Sequence, residues 1–223
     1  MQVIDSIFYI VVLIMSIVIH EYAHGYVAYL YGDDTARFQG RLTLNPLKHL
    51  ELFGSIILPL ILILTKAGFV LGWAKPVPYN PNNLKGGRKA EVMVAMAGIL
   101  ANIGLAIIFG IIIHLAPTIG IPAFDVANIS PFYKITLSIV FLNLVLAVFN
   151  LVPIAPLDGS KVLFAYLPPR LNHVQVFLEQ YGIFFLLFFV LFLWKYMFPL
   201  IVLGLIYLTG LDLSAIVAFL QAL

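Results

Sequence analysis

The sequence predicts an all-α polytopic membrane protein. We expect a bundle of five to six transmembrane helices, a small β-hairpin or sheet near the active site, and a re-entrant segment at residues 52–72. The 223 residues are 63% hydrophobic and only 10% charged, whereas a soluble domain carries about 25% charged residues. Several stretches reach the roughly 20 apolar residues needed to cross a bilayer. They leave no room for a separate soluble domain, so residues 1–223 are predicted to form a single membrane domain.

The first apolar stretch, residues 6–31, is predicted to be the first core helix. It is uncharged as far as Ile19 and then contains His20, Glu21 and His24. This stretch is too long and too polar inside for a signal peptide. The other helices are expected further along the chain: two core helices at about 92–116 and 132–151, and two C-terminal helices at about 176–194 and 198–220.

Residues 52–72 form an apolar segment that either crosses the bilayer or dips in and returns, since it contains Gly54 and Pro59. Residues 32–91 hold eight of the 12 Lys and Arg residues, and residues 117–131 hold none. The positive-inside rule places the basic region in the cytoplasm. Re-entry keeps all eight charges on one side, whereas a crossing divides them, so the charge pattern favours re-entry.

Residues 36–44 (ARFQGRLTL) alternate polar and smaller or apolar side chains, and a period of two predicts a strand. A second extended piece is expected over residues 72–83, where Pro76, Pro78 and Pro81 disfavour a helix. Together they predict the small β-hairpin or sheet.

The motif HEYAH, residues 20–24, is the strongest chemical signal in the chain. Positions four apart lie on one face of a helix, so His20 and His24 can bind one metal ion. Glu21 then lies within reach of a bound water, as hydrolysis requires. Ionisable groups inside a membrane helix are costly and face a bundle interior or a water-filled cavity. The motif therefore predicts a hydrolytic metal site within the bilayer.

A catalytic zinc takes three protein ligands and one water, and the absence of cysteine restricts the third ligand to nitrogen or oxygen. Among the remaining acidic and histidine side chains, Asp158 is the leading candidate. It follows an apolar run in NLVPIAPLDG, residues 150–159, where Pro153 and Pro156 favour extended backbone and Gly159 permits a turn. An even number of membrane crossings must separate Asp158 from the first helix, which again favours re-entry at residues 52–72.

These motifs resemble the site-2 protease family of intramembrane zinc metalloproteases. The resemblance rests on HEYAH, on NLVPIAPLDG, and on MAGILAN (residues 96–102), where Ile99 replaces the family's usual proline. Residues 32–56 and 72–81 are similar to the compact prokaryotic branch that lacks PDZ and CBS domains.

The resemblance implies a zinc metalloendopeptidase with one Zn²⁺ held by His20, His24 and Asp158 and with Glu21 as the general base. It also implies that Asn102 and Asn150 bind substrate or support the site; simple hydrogen bonds between helices are the alternative. The implied substrates are transmembrane proteins. A multi-pass protein of the cell membrane is expected, in contact with the lipid bilayer and with its active site nearer the cytoplasmic face.

The same residues are compatible with other functions. A metal or proton transporter could use the His, Glu and Asp side chains as a transit site, although no inverted repeat with paired broken helices is visible. An inactive scaffold usually lacks a ligand or the glutamate, and here all are present. The net charge of +2 is too small to suggest nucleic-acid binding, and the sequence leaves the oligomeric state open.

Overall fold

The computed structural model describes residues 3–51 and 75–223, together with the isolated positions 54, 57, 61, 64 and 65. The predicted re-entrant segment at residues 52–72 lies almost wholly outside the described residues. The elements in the described part are helical. The α-helices are α1 (Val3–Leu30), α2 (Thr35–Phe38), α3 (Arg88–Leu115), α4 (Pro131–Leu151), α5 (Asp158–Tyr166), α6 (Asn172–Phe188), α7 (Trp194–Thr209) and α8 (Leu213–Ala222).

Four helical runs among the described residues are long and apolar enough to cross a membrane. They are Phe8–Leu30, Arg88–Ile119, Pro131–Leu151 and Asn172–Thr209. The prediction of five to six transmembrane helices is therefore corrected to four for the part of the chain that the structure describes. The shorter apolar helix α8 adds ten residues, fewer than the roughly 20 that a crossing needs.

The C-terminal region forms one continuous run where the sequence suggested two helices. Helix α6, a π-helical turn at Phe189–Leu193 and helix α7 follow each other without a break. Pro199 lies inside α7, as membrane helices tolerate when neighbouring groups compensate the freed backbone. The run ends instead at Gly210, whose φ of 69° is left-handed, the usual glycine position at a helix C-terminus.

Helix α3 lies at the centre of the fold and contacts α1, α4, α5 and α7. At one end, Leu137 of α4, Leu205 of α7 and Phe219 of α8 bury an apolar cluster. Helix α6 is mostly exposed to the surroundings, but Gly182 brings its backbone against Ala155. A Cβ at Gly182 would lie 2.4 Å from the Ala155 carbonyl oxygen. Of the long helices, α3 and α4 pack against α1, which carries the polar motif.

The predicted β-hairpin is wrong, because no strand occurs in the residues that the structure describes. Residues Thr35–Phe38 form a helical turn, and Gly40 has a left-handed φ of 62° that interrupts extended backbone. The N–H of Arg41 donates to the carbonyl of Ala36 at 2.8 Å. Backbone groups that bond within their own segment are not available to a sheet partner, so the alternation of side chains reflects consecutive turns.

Candidate metal centre

Helix α1 carries the two histidines on one face. His20 and His24 are separated by one helical turn and are each 6% exposed. Both rings lie against α3, where Gly98 leaves room for them. A Cβ at Gly98 would lie 2.5 Å from His20 Cε1 and 2.5 Å from His24 Nε2. The imidazoles therefore occupy a space that only glycine leaves open on α3.

Asp158 is the first residue of helix α5 and is 5% exposed. The next residue, Gly159, permits α5 to begin directly against the end of α4. A Cβ at Gly159 would lie 2.3 Å from the carbonyl oxygen of Leu151. The sequence suggested that this glycine serves a turn, but the structure shows that it serves the close approach of two helix ends.

The three side chains converge on one point. Asp158 Oδ2 lies 3.0 Å from the Nε2 atoms of both His20 and His24, and the two Nε2 atoms are 3.0 Å apart. Atoms that share a tetrahedral zinc at about 2.0–2.1 Å are roughly 3.3 Å apart. The spacing of this cluster is therefore close to that of a zinc site.

The hydrogen bonds of the imidazoles show why the cluster suits a cation. His24 Nδ1 lies 2.7 Å from the carbonyl oxygen of Val94, and His20 Nδ1 lies 2.6 Å from Asn102 Oδ1. Both partners accept, so each Nδ1 donates, and each Nε2 faces the other two candidate ligand atoms. Two imidazole nitrogens and a carboxylate oxygen within 3.0 Å of one another form a donor set that suits a bound cation.

A buried polar chain orients His20 from behind. Asn102 accepts from His20 and donates through Nδ2 to Asn143 Oδ1 at 2.9 Å. Asn143 in turn donates to the hydroxyl of Ser16 at 2.9 Å. Asn102 and Asn143 are both fully buried. Asn102 thus contacts a candidate ligand rather than the cleft, and partners of this kind fix the ring orientation at metal sites.

A cleft of about 140 Å³ opens beside the cluster. Its lining includes the two histidines, Asp158 and Glu21, together with Asn150 and Lys161 and with residues Pro76, Val77 and Tyr79 of the connection between α1 and α3. Such a volume holds several waters. Asn150 therefore lies at the cleft, as a substrate-binding role requires, while its Nδ2 donates to the Leu146 carbonyl of its own helix at 3.0 Å.

The segment 75–79, which we call the cover segment, lies against Glu21. The N–H of Val77 donates to Glu21 Oε2 at 2.9 Å, and it is the one backbone donor of residues 76–78 because its neighbours Pro76 and Pro78 have none. Gly25 allows the approach, since a Cβ there would lie 2.6 Å from Val77 Cγ1. One oxygen of Glu21 is thus held by the protein.

Lys161 places a positive charge at the cleft. Its Nζ lies 2.9 Å from Asp158 Oδ1. Burial acts to lower the pKa of Lys161, but the Asp158 carboxylate outweighs it and raises that pKa. The raised pKa favours the charged form of Lys161 beside the carboxylate.

Several contributors were not identified from the sequence: Gly98, Asn143, Lys161 and Val77. Gly98 and Asn102 are four residues apart, so they share one face of α3, and this spacing was an available signal. Asn143 is an amide in the middle of an apolar helix, where polar groups are costly. The role of Val77 is carried by its backbone and leaves no trace in residue type.

Asp33 anchors the segment directly after the cover segment, residues 80–83, to the end of α1. It is fully buried and accepts from the backbone N–H of Asn80 at 2.7 Å and from Asn83 Nδ2 at 2.9 Å. It also accepts from the Thr35 hydroxyl at 2.6 Å. Burial alone would raise the pKa of Asp33, but these hydrogen bonds lower it below its ordinary value. The charged form is thus the one that holds the segment.

We expect Asp33→Asn to destabilise the protein at pH 7, because hydrogen bonds to a charged group contribute about 1.5–3 kcal/mol. A carboxyl group with a lowered pKa contributes fully above the unfolded pKa of about 3.9. That contribution is lost as the pH falls through the folded pKa, so the difference in melting temperature should shrink only below about pH 4. Thermal unfolding in detergent at several pH values measures it. Asp34→Asn is the control, since Asp34 makes only a surface contact with Arg37 at 3.7 Å, and equal losses in both variants would contradict the anchoring role.

Taken together, the apolar helical bundle and the His, His and Asp cluster with an adjacent glutamate are typical of a metalloprotease embedded in a membrane. Comparison with known proteins agrees with this class. The family model described as Peptidase family M50 matches residues 8–119 and 114–193. The chain belongs to this family, and its resemblance to the site-2 proteases is confirmed.

Individual relatives carry zinc metalloprotease names. The chain is 44% identical over 186 residues to "Putative zinc metalloprotease YwhC" of Bacillus subtilis, covering 82% of this chain and 78% of the relative. It is 31% identical over 169 residues to "Putative zinc metalloprotease Rip2" of Mycolicibacterium smegmatis, covering 76% of this chain and 61% of the relative. No solved structure gave a significant match. The protein is therefore a membrane metalloprotease of the hydrolase class with zinc as its cofactor.

Proposed function

We propose that the protein is an intramembrane zinc metalloendopeptidase that hydrolyses peptide bonds in or near the transmembrane segments of membrane-protein substrates. The observation that carries the proposal is the convergence of three ligand atoms beside Glu21 among apolar helices. In this proposal His20, His24 and Asp158 hold one Zn²⁺. When bound, zinc lowers the pKa of a water and polarises the substrate carbonyl.

The residues around that centre transfer the proton, orient the ligands and contact the substrate. Glu21 accepts a proton from the attacking water and passes it to the nitrogen of the leaving amine, so that the peptide bond breaks and a carboxylate and an amine result. The Val77 N–H keeps Glu21 in place by holding Oε2. Asn102 keeps His20 in the tautomer that presents Nε2, and Asn150 at the cleft contacts the substrate backbone.

The substrate must present an extended backbone, since a helix hides its peptide bonds. Local unwinding exposes backbone groups that need partners in an apolar environment. The cleft of about 140 Å³ is smaller than the roughly 300–1,000 Å³ of typical ligand pockets. We therefore expect the substrate to enter between the cover segment and the end of α4, with displacement of one of them.

The charges around the cleft support a proposal for the side of the membrane on which it lies. The chain that follows the cover segment is joined to the C-terminal end of α1 by a hydrogen bond from the Lys85 N–H to the Tyr31 carbonyl, at 2.7 Å. Basic residues flank this end at Arg37, Lys85 and Arg88. The positive-inside rule supports a catalytic centre nearer the cytoplasmic face.

Glu21→Gln is expected to reduce peptide cleavage by about 10²–10⁴-fold, the usual contribution of a general base, while the protein retains about one zinc. Cleavage of a model transmembrane substrate in detergent and zinc content are measured side by side with wild type. Glu179→Gln is the matched control, because Glu179 is exposed and contacts Gln175 on its own helix. Equal cleavage by the Glu21→Gln variant and wild type would overturn the proposed role of Glu21.

A further inference from the structure

The two oxygens of Asp158 have different partners. Oδ2 lies 3.0 Å from both imidazole Nε2 atoms, whereas Oδ1 lies 2.9 Å from Lys161 Nζ. Lys161 follows Asp158 by three residues on α5, so both side chains share one face of the helix. The carboxylate is therefore divided between the metal cluster and an ammonium group.

This ion pair differs from an ordinary surface pair of the same spacing. The Asp158 side chain is 7% exposed, and Lys161 reaches it from the cleft with 42% of its side chain exposed. Lys161 Nζ also lies 5.9 Å from the centre of the Tyr79 ring, within the range of a cation–π contact. The ammonium is thus held between a buried carboxylate and the cover segment.

The contact between Lys161 and Asp158 Oδ1 bears on how a hydrolytic zinc site is coordinated. Three protein ligands must leave one position for water. A carboxylate that binds through both oxygens would occupy an additional position and compete with that water. Groups bonded to a ligating carboxylate are known to orient it and tune the metal.

Building on the function proposed above, we propose that Lys161 is a positioning residue that commits Asp158 to ligation through Oδ2 alone. Its ammonium group holds Oδ1 away from the metal and keeps the water position open. Arginine can make the same charged hydrogen bond, whereas methionine has a similar length and neither charge nor donor. Lys161→Arg and Lys161→Met are therefore expected to behave differently, although both replace lysine by a side chain of similar length.

The test uses the full protein loaded with Co²⁺, whose visible absorption weakens as its coordination number rises above four. We expect Lys161→Met to keep about one cobalt but to show a weaker spectrum, and its kcat on a model transmembrane substrate to fall about 10- to 100-fold. Lys161→Arg should retain the wild-type spectrum and most of the activity. Arg37→Met is the control, since it removes an exposed ion pair with Asp34.

The outcomes separate this inference from the function on which it rests. A Lys161→Met protein with an unchanged cobalt spectrum and kcat overturns the role of Lys161 and leaves the proposed protease intact. A Lys161→Met protein that binds no cobalt also overturns it, because Lys161 then serves to build the site. A His20→Ala protein with the same cobalt spectrum as wild type overturns the proposed metal centre itself.

Discussion

Gly98→Ala is expected to abolish zinc binding and, with it, peptide cleavage. The added Cβ would lie 2.5 Å from His20 Cε1, 2.5 Å from His24 Nε2 and 2.6 Å from His20 Nε2. The rings cannot move aside freely, because each is held through Nδ1 by a buried acceptor. Zinc content of the purified protein and cleavage of a transmembrane substrate measure the loss.

Gly104→Ala provides the matched control for this substitution. It lies on the same helix, and outside the adjacent turns of that helix a Cβ there would meet no atom of the described residues within 4 Å. Alanine is favoured over glycine inside a helix by about 0.8–1.0 kcal/mol, so we expect this variant to be at least as stable as wild type and fully active. If Gly98→Ala kept normal zinc content and activity, the packing of both imidazoles against α3 would be refuted.

Asn143→Leu is expected to weaken zinc binding without contacting the metal. The change removes the acceptor for Asn102 Nδ2 and the donor to Ser16, leaving a buried amide N–H unpaired. Asn102 then loses the bond that fixes its orientation toward His20. Loss of such outer partners costs about 10–100-fold in metal affinity or activity. Competition with a zinc chelator, followed by equilibrium dialysis, measures the change.

Thr136→Val tests whether the effect of Asn143→Leu is specific to this polar chain. Thr136 is also buried in α4, but its hydroxyl donates to the Phe132 carbonyl of its own helix at 2.7 Å. We expect its zinc affinity to match that of wild type. Similar losses in the two variants would assign the effect of Asn143→Leu to general destabilisation of α4.

The local part of the site could be predicted from the sequence because helix geometry alone relates residues four positions apart. HEYAH therefore placed His20 and His24 on one face before any fold was known. Asp158 was singled out by its position after an apolar run, and the structure brings it to 3.0 Å from both histidines. The sequence predicted a turn at Gly159, whereas the structure shows a close contact between two helix ends. Both situations favour glycine, so the residue type does not distinguish them.

Other features were not predicted, because their roles depend on which helix faces meet. Gly98 and Asn143 acquire their roles only when α3 and α4 pack beside α1. The alternating side chains of residues 36–44 suggested a strand, yet extended backbone also needs a partner. Hydrogen bonds within the segment, such as Arg41 N–H to the Ala36 carbonyl, replaced that partner. Side-chain period alone does not contain this information.

The distance along the chain between the proposed ligands has a consequence for biosynthesis. Asp158 follows His20 by 138 positions, and at about 5–20 residues per second the ribosome needs roughly 7–28 s to add them. During this interval the nascent protein carries the histidines and the glutamate of the proposed centre without its third ligand. In a newly made chain, the two histidines and the glutamate therefore enter the insertion machinery before the third proposed ligand exists, so the hydrolytic centre cannot be complete at that stage.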